Sequence, residues 1–120
     1  MSPSKSCEEV AVWQKAHAWV LAVYRASAGF PQHELFGLTA QLRRAAVSVP
    51  ANFAEGFKRQ SRLDKVRFYN MAQGSLEECR YYMRLAQDLG YGDLSKLQAG
   101  LGEISQMLES YARKVRDASS

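Results

Sequence analysis

Residues 41–56, QLRRAAVSVPANFAEG, read as a helix with too many apolar faces. At 100° per residue, Leu38, Leu42, Ala45, Val49 and Phe53 line up as one apolar stripe. Gln41, Arg44, Ser48, Asn52 and Glu55 fall in a polar stripe beside it, and Ala40, Val47, Ala51 and Ala54 form a third face, small and again apolar. A surface helix of a lone subunit needs one apolar stripe with charge opposite it. A second apolar face asks for a second neighbour. The expectation is self-association, with Ala40, Val47, Ala51 and Ala54 in the contact between copies.

Helical periodicity continues through the rest of the chain. Ser6 and Glu9 form a capping-box pattern ahead of a helix over about 7–28, with Val12, Ala16, Trp19, Val23 and Ala26 on its apolar face. Gly29 and Pro31 end it. A second helix is expected over about 32–59, kinked at Pro50 because proline removes one backbone donor. Its apolar period does not slip across Pro50, so it reads as one helix. Ser61 and Asp64 open a third, over about 62–89, where Tyr69, Ala72, Leu76, Cys79, Met83 and Ala86 recur at threes and fours. After the Gly90–Tyr91–Gly92 turn, Asp93 caps a fourth, over about 93–117, with a seam of Leu94, Leu97, Leu101, Ile104, Leu108, Tyr111 and Val115. Gly100 and Gly102 weaken that helix locally. No segment alternates like a strand. Short connections make neighbours antiparallel, so the fold class is all-α: an up-and-down four-helix bundle filling 1–120 as one domain.

No apolar run approaches the roughly 20 residues that span a bilayer, and Glu8–Glu9 interrupts any leader-like start. A cytoplasmic protein without membrane contact is expected. Cys79 falls on an apolar helix face and reads as a reduced core thiol, not half of a disulfide with Cys7.

Enzymatic readings find little support. Neither His17 nor His33 has a glutamate three residues before it, and neither cysteine sits in a CxxC, so no metal site is expected. Gly74–Ser75 lacks a nucleophile elbow. The glycines match no phosphate-binding loop, so no cofactor and no small-molecule substrate are expected. Ser48, Asn52 and Glu55 of the second helix could face Ser75 and Glu78 of the third, with Arg44 as the nearest cation. Such a set is a structural network that fixes register, or else a hydrolytic site built on Asn52, Glu55 and Glu78, which requires an open cleft around the carboxylates. Gly56 and Gly74 read as close-packing points.

Charge offers another lead. The chain carries a formal +4. Between Arg43 and Arg67, the bases Arg43, Arg44, Lys58, Arg59, Arg62, Lys65 and Arg67 outnumber the acids Glu55 and Asp64. Arg43, Lys58, Arg59, Arg62, Lys65 and Arg67 are the candidate contacts for RNA or DNA phosphates. The competing reading is a protein-interaction adaptor whose bases only keep it soluble.

Several blocks then carry a resemblance. Phe30–Pro31, Glu34, Gly37–Leu38, Gln41–Ala45, Val49–Gly56, Ala72–Glu78 and Leu89–Tyr91 resemble the bacterial four-helix-bundle family of 23S ribosomal-RNA intervening-sequence proteins. The similarity runs from about Val12 to Val115. The Asn-x-Ala-Glu-Gly and Gly-Ser-x-x-Glu blocks carry most of it, matching Asn52, Glu55, Ser75 and Glu78 as motif residues. A related member is the accessory variability determinant of diversity-generating retroelements. The resemblance implies a homopentameric ring, no enzymatic activity, and a basic surface that in the retroelement relative meets nucleic acid and a reverse transcriptase. The chain departs at Phe53, where a smaller aliphatic is usual, which leaves the local packing open.

Overall fold

The computed structural model describes residues 6–118. Four helices account for most of them: α1 (Ala11–Ser27), α2 (Leu38–Lys58), α3 (Arg62–Asp88) and α4 (Ser95–Asp117). Contacts run α1 to α2, α2 to α3, α3 to α4 and α4 back to α1, so α1 lies diagonal to α3 and α2 to α4. This is the expected up-and-down bundle, drawn out to 51 × 22 × 19 Å. Its core joins Val12, Trp19 and Val23 of α1 with Leu42, Val49 and Phe53 of α2, Leu76 and Met83 of α3, and Leu101, Ile104 and Leu108 of α4.

Two boundaries differ from the sequence expectation. The first helix does not run from Cys7. A 3₁₀ turn at Cys7–Glu9 comes first, extended Val10 breaks the path, and α1 starts at Ala11. The Ser6 hydroxyl accepts from the Glu8 amide, not that of Glu9, so it caps the short turn and not α1. The second helix does not start at Gln32. That residue opens a separate 3₁₀ turn, Gln32–Glu34, and α2 begins at Leu38. Glu34 explains the new start. One carboxylate oxygen accepts from the Leu38 amide at 3.2 Å and the other from the Tyr91 hydroxyl at 2.8 Å. Those two bonds, the Tyr91 bond foremost, hold the Glu34 carboxyl below the ordinary glutamate range.

The remaining helix ends follow local chemistry. Ser61 caps α3 by accepting from the Asp64 amide at 3.0 Å. Gly90 ends α3 with φ of 79°, and the Tyr91 amide reaches back to the Ala86 carbonyl at 2.9 Å while that of Gly90 reaches Gln87 at 3.0 Å. That is a Schellman close, and it needs a residue tolerant of left-handed backbone. Asp93 is not the cap of the fourth helix: α4 starts at Ser95 with Leu94 in the capping position and no side-chain cap, and Asp93 accepts from the Ser95 amide ahead of it. Pro50 lies inside α2, which stays one helix through it.

Phe53 finds room in an aromatic cluster at the α2–α3 end. Its ring stacks on Tyr69 at 5.2 Å, with Tyr111 at 5.1 Å and Phe57 at 6.4 Å. Gly56 makes this possible, since an added Cβ would sit 2.6 Å from Tyr69 Cε1. The Tyr69 hydroxyl is buried without a hydrogen-bond partner among the described residues, and burial pushes its pKa upward. At the other pole, Trp19 donates to the Leu97 carbonyl at 2.9 Å, and Gly100 leaves space for the indole edge. Cys79 is wholly buried, and burial raises its thiol to about 12. Both cysteines are free, as expected.

Candidate nucleic-acid interface

The structure gathers some of the predicted bases at one end of the bundle and withdraws others. Lys58 and Arg59 close α2, and Arg62 and Arg67 open α3, all of them exposed. Arg59 and Arg67 bracket the Phe68 ring, their guanidinium carbons 4.7 and 5.0 Å from its centroid. They also meet Glu55 at 2.9 Å and Asp64 at 3.8 Å. Such exposed pairs are worth little.

Lys65 has a different task. Its ammonium donates to the Phe57 carbonyl at 2.8 Å and to that of Gly56 at 3.4 Å, closing the carbonyl end of α2. Partial burial there lowers its pKa. Arg43 stands apart. Its Nε donates to Ser27 Oγ at 2.8 Å, its terminal nitrogen to the Tyr24 carbonyl at 3.2 Å, and the guanidinium covers the Tyr24 ring. It ties α1 to α2 roughly 22 Å along the axis from Lys58, counting 1.5 Å per residue. The basic end therefore does not include Arg43, and it holds Lys65 only as a cap.

Sequence density missed Arg116. The antiparallel path returns the last turn of α4 beside the first turn of α3, where Arg116 joins Arg62, Leu63 and Val66 around one groove. The signal available was positional: bases in the final turn of a fourth helix belong at the same end as the second connection.

The polar motif residues separate in the same manner. Ser48 Oγ donates to Ser75 Oγ at 2.6 Å across the α2–α3 contact. The Asn52 amide turns back to the Ser48 carbonyl at 2.9 Å within its own helix. Glu55 pairs with Arg59, and Glu78 lies 3.5 Å from the Tyr82 hydroxyl, which itself donates to Gln41. Arg44 is exposed and joins none of these bonds. With Ser48 opposite Ser75 in antiparallel helices, Glu55 and Glu78 diverge in opposite directions by about 15 Å along the axis. They form no carboxylate pair. Among the described residues no group of three His, Cys, Asp or Glu side chains could hold a metal, and no helix is long and apolar enough to cross a membrane.

The third face of α2 lies open in this single subunit. Val47 is 42% and Met71 47% exposed, Ala51 is exposed, and Ala40 and Ala54 are half-buried. Gly74, one turn from Met71, has nothing within 4 Å of the position a Cβ would take. Gly56 is a close-packing point inside the subunit, whereas Gly74 is not.

Among curated protein sequences none matches the chain. A solved structure from Bacteroides thetaiotaomicron VPI-5482, described as a protein with unknown function from the S23 ribosomal protein family, shares the fold with a TM-score of 0.77. It is 22% identical, and the alignment covers 86% of this chain and 99% of that one. Residues 8–110 match the family described as 23S rRNA-intervening sequence protein, and with most of its length matched the chain belongs to that family.

Proposed function

We propose that this chain is a non-catalytic, self-associating bundle that holds nucleic-acid phosphates at the α2–α3 end. The observation that carries this reading is the convergence of Lys58, Arg59, Arg62, Arg67 and Arg116 on one end. Their facing acids, Glu55, Asp64 and Asp117, are engaged in exposed pairs. The divergence of Glu55 and Glu78 favours a structural role for the motif over hydrolysis. The expected setting is the cytoplasm.

Phosphate binding releases counterions, so affinity for a mixed-sequence RNA or DNA should fall linearly on a log–log plot against salt. Replacing Lys58, Arg59 and Arg67 together by glutamine should flatten that slope by up to about three. Fluorescence anisotropy across a salt series reads both. A salt-insensitive affinity, or a slope untouched by the triple variant, removes the proposal.

Self-association is placed on the open face of α2, together with Met71 and Gly74 of α3. Ala51→Glu puts a charge at its centre and should convert the assembly to single subunits or aggregate, as read by light scattering. An unchanged mass would move the contact elsewhere. The ring of five subunits stays part of this proposal.

One observation favours an adaptor as the second reading. Phe36 is 92% exposed at the opposite end, near exposed Leu35 in the same connection. Partners retained after nuclease treatment and lost in Phe36→Ser would support it.

A further inference from the structure

The basic end contains a feature that phosphate binding alone does not use. Arg62, Leu63, Val66 and Arg116 line a groove of about 190 Å³ between the first turn of α3 and the last turn of α4. Leu63 is 83% exposed, an isobutyl group held in water among guanidinium groups. Arg67 lies one turn further along α3 on the Leu63 side, and Lys58 and Arg59 continue the positive track.

We infer that this groove seats an unpaired nucleobase, so the basic end prefers single-stranded nucleic acid to duplex. The inference rests on the phosphate-binding function proposed above. A nucleobase is flat and apolar on its faces, and it carries a phosphate on either side along the strand. Leu63 and Val66 supply the apolar wall, while Arg62 and Arg116 stand where flanking phosphates pass. Guanidinium planes also stack on bases. A duplex offers the same phosphates but keeps its base faces stacked inside. An acidic amphipathic helix would satisfy the charge, yet it needs a groove several turns long for its anchors. This groove spans about one turn. The Phe68 ring is no substitute platform, because Arg59 and Arg67 already cover it.

The test uses a short labelled RNA strand of mixed sequence, alone and annealed to its complement, with the full chain at fixed salt. The single strand should bind about fivefold more tightly than the duplex, the low end of the range for a base stacked on an aromatic ring, because the wall here is aliphatic. Leu63→Ser, a change at an exposed position, should remove most of that difference and leave duplex binding and light-scattering mass unchanged. Equal binding of both forms, with the variant altering neither, overturns the groove assignment and leaves phosphate binding standing. Failure of both forms to bind defeats the underlying function itself. Two further outcomes also overturn the assignment: tight binding of a polyglutamate peptide in place of RNA, or loss of self-association in Leu63→Ser with RNA affinity intact.

Discussion

Replacing Phe53 with alanine is expected to lower the unfolding free energy by about 3–5 kcal/mol. The ring is fully buried and touches three other aromatic rings, from α2, α3 and α4. Truncation removes its transfer term and leaves a cavity that cannot collapse easily. Tyr69 and Tyr111, 5.5 Å apart, already brace each other edge to face. Ring pairs add roughly 0.5–1.5 kcal/mol beyond area, so the upper part of the range is expected. A domain of this size has only about 5–15 kcal/mol in hand. Urea denaturation monitored by far-ultraviolet circular dichroism reads the change, and a loss under about 1 kcal/mol would mean the cluster is loosely packed.

Gly56→Ala should be the next most damaging change, even though alanine is the better helix former by about 1 kcal/mol. The new methyl would stand 2.6 Å from Tyr69 Cε1 and 3.0 Å from Phe68 Cβ. Phe68 Cβ moves only with its backbone, and Tyr69 is buried against Phe53. The strain should exceed the propensity gain and leave a net loss of about 1–3 kcal/mol. Gly74 is the matched control, since its Cβ position is open. A Gly56→Ala midpoint equal to or above the parent would show that α2 and α3 can separate slightly without penalty.

Both changes bear on the proposed function because the aromatic cluster lies beneath the basic end. Phe53 and Gly56 set where Tyr69 sits, and the neighbouring Phe68 carries the two guanidinium groups of Arg59 and Arg67. Loosening the cluster should therefore blur the charge above it.

The helices were legible from apolar spacing because the core is built from threes and fours in all four of them. The seam Leu94, Leu97, Leu101, Ile104 and Leu108 is buried as its period implies. The start of α2 was not legible. It depends on Glu34 being held by Tyr91, 57 residues away, and no local pattern encodes that bond. The same limit applies to the bases. Sequence shows where positive charge is dense, but not that Arg43 reaches Ser27 or that Lys65 reaches Phe57. Those commitments depend on which carbonyl or hydroxyl the folded chain brings near. The Ser48–Ser75 bond was foreseeable because both residues lie among the polar positions expected to face each other across the second and third helices, whereas Glu55 and Glu78, in separate motif blocks, end up apart along the axis.

A rod 51 Å long with a basic cluster at one tip has a direction. Rotation about an axis parallel to the rod never reverses that direction. A closed ring of three or more subunits standing parallel to its axis would therefore carry every charged tip at the same height, as a collar on one rim. A single polyanion touching that collar would meet many grips at once, each raising the effective concentration of the next. A pair related by a crosswise twofold would instead point its tips apart and forfeit this gain.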